Sequence, residues 1–574
     1  MPISSSFLDF LIGLTAIGLT MLVWPNGLKA QDKNKVLVIE GTDYFERNNV
    51  FELADSLQLV RKLQEERSKL LSQGYLTAGV DSFVNAGKDT TIAYFYRGKL
   101  FKWGQLKEGN VPEEYLTKSG YRDKVYFGEP MRTREITKLL NSILDQSENT
   151  GYPFAEIFLD SIAIEKDEVS AILHYRKNDF VKLDSLIIKG ALKTNRSFIE
   201  NHIGFRKGLP YNQKQLRRIP NRLNEIPFVQ QIKPYEVGMR PGKADIYLYL
   251  NEKKASNFDG ILGVLSDPET GEIIFTGDVK LNLVNALNHG ETINLRWQRL
   301  RTQTQQLDLK FRYPYIFKTP LGIDFSLNLY RRDTTFSQNN VKGGLEYYFD
   351  GSNTVRIYFQ NLGANTIGEN IGSDLADSRT NLVGLGTEIY ELDYRFNARR
   401  GFFIEADVAA GEKEILSLSE DSELDAKSEI YNINLNAGYF VPLFKRSTLH
   451  FRVQAGHFEN ENMFRNEIYR IGGLQTLRGF DEQAIFATSF LIGTIEYRFI
   501  LEQNSNIFLF LDQAYYEDTA REEPLIDSPF GFGAGVNFET GAGIFSLTYA
   551  LGQQFDNTIS LRGGKVHFGF TGFF

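Results

Sequence analysis

The sequence predicts two architectures in series: α+β repeats followed by a transmembrane antiparallel β-barrel of about 16 strands. Three observations carry that prediction. A helix-then-strand pattern recurs in the first half, and Gly74-Tyr75 and Gly151-Tyr152, 77 residues apart, mark equivalent points in it. From residue 256 the apolar residues alternate with polar ones, the period of a strand. The only long uncharged apolar run is Phe10 to Trp24, so the chain holds no bundle of membrane helices, whereas a membrane β-barrel, whose strands average out as ordinary, remains allowed.

The run from Phe10 to Trp24 precedes Asn26-Gly-Leu-Lys-Ala30-Gln and reads as a signal peptide over residues 1–30, cut after Ala30. The first nine residues carry Asp9 and no Lys or Arg, and Leu28 is large for its place before the cut. An uncleaved anchor and a misassigned start therefore stand as the other readings. Each of them takes the chain out of the cytoplasm.

Residues 33–99 form the first repeat and 100–178 the second. In the first, Ser56 to Gly74 has apolar residues at helical spacing, and Gly74-Tyr-Leu-Thr-Ala-Gly-Val-Asp81 leads into the strand Thr91-IAYFYR. In the second, the helical Thr133-REITKLLNSILDQSENT is followed by Gly151-Tyr-Pro-Phe-Ala-Glu-Ile157 and the strand Val169-SAILHYR. The glycine supplies a left-handed helix end and the aromatic anchors the chain to the sheet. A third, more divergent repeat spans 179–254. Its strand Val181-KLDSLIIKG precedes helical stretches over Asn195 to Ile203 and Tyr211 to Leu223, then Phe228-VQQIKPYEV and Ala244-DIYLYLNE. Pro220 predicts a break in the second stretch. Strand, helix, helix, strand, strand at this length resembles the POTRA repeat, a module whose sheet edges could accept an extended strand from a client.

Residues 256–574 read as the barrel. Thr292-INLRWQ places Ile293, Leu295 and Trp297 opposite Asn294, Arg296 and Gln298, and Leu307-DLKFRY and Leu321-GIDFSLNLY behave alike. Alternation alone suits a soluble sandwich as well. Segment length, the absence of helical interruptions, an even strand count and charges recurring on the polar parity favour a membrane barrel with a wet lumen. Connections alternate between tight turns and long polar loops at Asn361 to Arg379 and Ala410 to Lys427. The first strand, Phe258-DGILGVL, is read as short, with Gly260 and Gly263; the last carries Gly569 and Gly572. Glycine weakens pairing, which predicts a soft seam where they meet. The chain ends Lys565-VHFGFTGFF, with Val566, Phe568, Phe570 and Phe574 on the lipid-facing parity. Such an ending resembles the assembly signal of outer-membrane barrels.

Between the eleventh and twelfth strands lies Gly472-Gly-Leu-Gln-Thr-Leu-Arg-Gly-Phe480, with five strand-like segments after it. Leu477-Arg478-Gly479-Phe480 resembles the (V/I/L)-R-G-(F/Y) element of the outer-membrane insertase and translocase superfamily, the BamA/TamA-like, bacterial surface antigen type. Three repeats and one barrel are most similar in layout to TamA-type members. The resemblance implies that this loop folds into the barrel and that Arg478 meets acids on the next two strands, at positions matching Glu496 and Asp512. Both acids lie on the polar parity, where an arginine that cannot shed its proton needs such partners.

The resemblance also implies a location in the cell outer membrane with the repeats in the periplasm, and a role in assembling or translocating proteins through a lateral seam. The alternative readings are a two-partner-type secretion translocase and a passive channel with a periplasmic scaffold. Its implied partners are unfolded outer-membrane or secreted client proteins and outer-membrane lipid, with room for a periplasmic or inner-membrane accessory protein. Composition narrows the remaining classes. With 64 Lys+Arg against 72 Asp+Glu the chain is a poor general nucleic-acid binder. With no cysteine it has no thiolate chemistry. Its six histidines are scattered without ligand spacing, and no nucleophile elbow or Walker loop occurs, so a non-enzymatic protein without cofactor or metal is expected. Gly531-Phe-Gly-Ala-Gly535 superficially resembles a phosphate loop, but its glycines fall on the lumenal parity of a strand.

Overall fold

The computed structural model describes residues 35–41, 49–53, 56–86, 90–266, 273–301, 304–368, 374–394, 397–417, 424–521, 523–540, 543–555, 559 and 561–573. The expected signal peptide and Phe574 lie outside the described residues. The chain divides into two compact units: Met1–Asp184, Lys207–Arg217 and Met239–Ala244 form one, and Ser185–Arg206, Arg218–Gly238 and Asp245–Phe574 the other. Among the described residues no helix is long and apolar enough to cross a membrane.

The first unit contains two modules that share one core topology, a helix packed on three strands. In the first module the helix Ser56–Ser72 lays Leu59, Leu63 and Leu70 on Leu37, Ala93 and Phe95 of a four-stranded sheet. Lys35–Gly41 runs parallel to the last strand, Thr90–Tyr96, which also pairs antiparallel with Gly79–Asn85. In the second module the helix Thr133–Asn149 buries Ile136, Leu139, Leu140 and Ile143 in a core with Trp103 and Leu173. Lys102–Lys107 again runs parallel to the last strand, Glu168–Arg176, with Glu156–Glu165 on its other side. The Gly-Tyr-x-x-Ala elements are superposable in function. Gly74 and Gly151 have φ of 103° and 101°, Tyr75 and Tyr152 N–H close on the carbonyls of Leu70 and Ser147, and Ala78 and Ala155 N–H donate to the carbonyls of Tyr75 and Tyr152. A left-handed backbone at that point favours glycine, which explains the repeated residue.

The first module departs from the expected strand-helix-helix-strand-strand order. The strand Asn49–Leu53 precedes its helix and pairs antiparallel with Lys35–Gly41, closing that edge of the sheet. The sequence Asn-Val-Phe-Glu-Leu is β-prone rather than helical. In the third module the helical stretch breaks as expected: one helix covers Gln213–Arg217 and the next Ile219–Asn224, with Pro220 in its first turn, where a missing N–H costs nothing.

In the second unit sixteen antiparallel strands close a barrel, beginning with Asn257–Ser266 and ending with Lys565–Phe573. Leu525–Asp527 and Phe530–Thr540 both pair with Ser505–Asp518 and together make the fourteenth strand. Parity behaves as the alternation predicts: on the eighth strand Val383 and Leu385 are 58% and 56% exposed on the outer face, while Leu382 is buried inward. Neither long loop is as long as the sequence suggests, because pairing continues to Thr366 and Ile415. Among the described residues two three-residue 3-10 turns, Ile316–Lys318 and Leu561–Gly563, interrupt the otherwise helix-free barrel region.

Closure is uneven. The eighth and ninth strands pair continuously from Ser378↔Ile415 to Leu392↔Gly401. Among the described residues the first and last strands pair only at Asn257↔Phe573 and Phe258↔Gly572. The first strand is ten residues long, so it is weak by its pairing rather than by the shortness expected of it.

Candidate functional site

The loop between the eleventh strand, Ser447–Glu459, and the twelfth, Ser489–Glu502, turns into the lumen. Tyr469–Ile471 pairs with Ile485–Ala487 as a small hairpin that carries the Leu-Arg-Gly-Phe segment at its tip. The tip is held locally: Gly472 N–H donates to Thr476 Oγ1 at 2.8 Å, Gly473 N–H to the Leu477 carbonyl at 3.0 Å, and Gly472, Gly473 and Gly479 all take positive φ. Leu477, fully buried, packs with Ile471, Ile485, Ile492, Ala514 and Tyr516, and Phe480 lies against the same cluster.

Arg478 reaches both expected acids. Its Nε and Nη2 donate to Asp512 Oδ2 and Oδ1, each at 2.7 Å, and its Nη1 donates to Glu496 Oε2 at 2.6 Å. The backbone N–H of Arg478 adds a bond to Asp512 Oδ2 at 3.2 Å, and the guanidinium lies 3.6 Å from the centre of the Phe510 ring. Thr494 Oγ1 donates to Asp512 Oδ1, and Arg498 Nε donates to the second Glu496 oxygen. The Asp512 side chain is 0% exposed and that of Glu496 7%, so the bidentate guanidinium pairing happens in a largely dehydrated place, where its geometry matters most.

Wall glycines make room for this tip. A Cβ on Gly531 would stand 1.9 Å from the Arg478 carbonyl oxygen, and one on Gly552 would stand 2.8 Å from the Gly479 carbonyl oxygen. The glycines of Gly531-Phe-Gly-Ala-Gly535 therefore admit the loop and the rings of Phe510 and Phe508, which lie against Gly533 and Gly535. At the last strand Val566 and Phe568 are exposed outward, and the Phe570 ring centre is 4.6 Å from that of Phe545. Phe574, the remaining residue of the expected assembly signal, is outside the described residues.

Sequence reading missed three features that depend on long-range contact. The loop has a second anchor, where the fully buried Lys413 donates from Nζ to Glu467 Oε2 at 2.5 Å and Arg470 stacks 3.6 Å from the centre of the Tyr330 ring. On the wall, Arg312 pairs with Glu346 and Glu388, and Arg356 bridges Glu388 to Asp407, which also takes Lys342. Inward parity was the available signal for this ladder, but parity does not say which charges meet. A polar cavity of about 470 Å³ lies beside it, lined by Lys342, Tyr358, Asp407, Asn432 and Tyr469 among others.

The third feature fastens the third module's helices to barrel turns within the second unit. His202 Nδ1 lies 3.1 Å from Tyr315 Oη and its Nε2 3.0 Å from the Arg222 carbonyl. Arg222 pairs with Glu225 and Asp350, and Ser352 N–H donates to Glu225 Oε2 at 3.0 Å. Burial pushes the Glu225 carboxyl up, but His202, Arg222 and the Ser352 N–H outweigh it and hold the group below its ordinary value.

Residues 285–574 match the model of the Omp85 superfamily domain. Among solved structures the chain is similar in fold to CdiB from Escherichia coli, with 14% identity, a TM-score of 0.53, and coverage of 90% of this chain and 97% of that one. CdiB from Acinetobacter baumannii gives 12% identity, a TM-score of 0.52, and coverage of 90% and 98%. BamA from Haemophilus ducreyi lacking POTRA domains 1–3 gives 15% identity, a TM-score of 0.41, and coverage of 82% and 100%. No curated protein matches the sequence.

Proposed function

Because the chain belongs to the Omp85 superfamily, we propose that it assembles or translocates proteins at the outer membrane by opening laterally between its first and last barrel strands. The N-terminal modules, in the periplasm, receive unfolded clients, and the barrel offers the unpaired edges of Asn257–Ser266 and Lys565–Phe573 as templates. The observation that carries this reading is the closure by Asn257↔Phe573 and Phe258↔Gly572 alone among the described residues. Strand edges in lipid need partners, so an edge left unpaired over most of its length is a place where a client strand gains hydrogen bonds. No enzymatic step is required: client strand pairing and burial in lipid supply the free energy.

The inward loop supports the same reading. Latched through Arg478 at one end and Lys413 with Glu467 at the other, it is held against the inner wall, which suits a barrel that opens at its seam. The Leu-Arg-Gly-Phe tip then stiffens the wall formed by the twelfth and thirteenth strands while the seam moves.

Cross-linking tests lateral opening directly, since the chain has no native cysteine. Phe258→Cys with Gly572→Cys joins residues paired in register, with Cα atoms within the ~7 Å that a disulfide requires. Gly260→Cys with Phe570→Cys extends the same register. The oxidised proteins should lose client assembly or release and regain it on reduction, while small-solute conductance stays unchanged. Locked protein that supports assembly as well as the reduced form would move the route into the lumen. Comparing outer-membrane and secreted proteomes after depletion identifies the clients.

A further inference from the structure

Several of the barrel's inward cations are matched to carboxylates, as Arg356, Arg478 and Arg498 show. A different arrangement occurs at two short turns. The turn after the eighth strand, Ser378–Leu392, carries Arg399 and Arg400, and the turn after the tenth strand, Lys427–Phe444, carries Lys445 and Arg446. The turns adjoin: Arg399 Nη2 donates to the Phe444 carbonyl at 3.1 Å, and Thr448 Oγ1 donates to the Arg399 carbonyl at 2.8 Å. Arg400, Lys445 and Arg446 are exposed.

The carboxylates of the first turn are engaged by groups other than these four side chains. Asp393 Oδ1 is engaged by the backbone N–H groups of Tyr394, Arg399 and Arg400, and Glu391 faces Arg222 and Asn353. Four cations thus gather at one place on a chain whose formal net charge is -8. Apolar surface lies directly beside them. Phe444 is 75% exposed and Leu443 43%, and Leu443 continues the outward parity of Tyr431, Ile433 and Tyr439. At ~3.3 Å per residue, Lys445 and Arg446 begin within about 10 Å of the last lipid-facing side chain, the depth at which interfacial cations meet lipid phosphates.

We propose that Arg399, Arg400, Lys445 and Arg446 bind the headgroup phosphate of an anionic glycerophospholipid whose acyl chains lie on Leu443 and Phe444. Cations flanking an acyl-compatible surface fit a lipid better than a soluble anion, which has no use for the apolar part. The inference rests on the barrel standing in a bilayer and on no particular client or route, so it survives failure of lateral opening.

Native mass spectrometry of the full chain in detergent, titrated with phosphatidylglycerol or with phosphatidylcholine of the same acyl composition, tests it. The unaltered protein should retain phosphatidylglycerol preferentially. R400Q/K445Q/R446Q, which spares the partly packed Arg399, should weaken that retention by about tenfold or more, whereas K427Q at the opposite rim should leave it unchanged. Should the triple variant fail to form a heat-modifiable barrel, K445Q and R446Q singly should each weaken retention by roughly fivefold. Equal retention of the two lipids by the unaltered protein, or undiminished phosphatidylglycerol retention by the folded variants, overturns the site. Binding of a soluble acidic protein to these turns in the absence of any lipid preference overturns it in favour of a protein partner.

Discussion

Two stretches of the same barrel wall differ in how they are held. The twelfth and thirteenth strands pair from Ser489↔Glu517 to Glu502↔Ser505 and are braced from inside by Arg478, while the first and last strands meet at Asn257 and Phe258 and at no further described residue. A barrel built from one repeating hydrogen-bond pattern has thereby been given a stiff side and a soft side. The stiffness comes from side chains reaching in from a loop, and the softness comes from omitted backbone pairing. Opening at one place need not unravel the rest.

The largest effect expected from breaking this contrast is at Arg478. Arg478→Ala leaves Asp512 and Glu496 buried with their main cation gone, a loss of ~3 to 5 kcal/mol for a buried network. Thermal unfolding of the folded barrel should shift down accordingly, and protease should reach the loop. A shift in the ~0 to 1 kcal/mol range of an exposed pair would show that the tip does not brace the wall.

A smaller loss is expected on the wall side of the same contact. Gly531→Ala puts a methyl group where the Arg478 carbonyl oxygen stands, and overpacking of this kind costs ~1 to 3 kcal/mol. Its signature is that combining it with Arg478→Ala adds less than the sum of the two, because both act on one docked tip. Full additivity would separate the glycine from the loop.

The mildest effect is a pH dependence at the fastening of the third module. The Glu225 value is depressed in the folded chain, so its contribution is present above the unfolded value of ~4.3 and is lost as pH falls through the lower folded value. Acid below about pH 4 should therefore loosen the helices Arg196–His202 and Ile219–Asn224 from the barrel turns, read by hydrogen exchange, and Glu225→Gln should flatten that dependence. An unchanged acid profile in Glu225→Gln would assign the loosening to other groups.

The sequence by itself determined whatever a local rule governs. Period two specified the barrel strands and their lumenal and lipid faces, the repeated Gly-Tyr-x-x-Ala specified equivalent helix ends, and Pro220 marked a helix boundary. Glu496 and Asp512 were legible as inward residues because parity fixes the side of a strand, and their pairing with Arg478 came from the resemblance carried by Leu477, Gly479 and Phe480. Tertiary structure decided what no local rule reaches. Asn49–Leu53 is a strand because an edge was available to it, and Lys413 meets Glu467 because a loop folds across a lumen. Gly531 is required by a carbonyl 53 residues away in sequence. The seam belongs to the same class. Glycines in both strands signalled weakness, but the extent of pairing depends on how sixteen strands share the circumference, and that is a property of the closed sheet rather than of any strand in it.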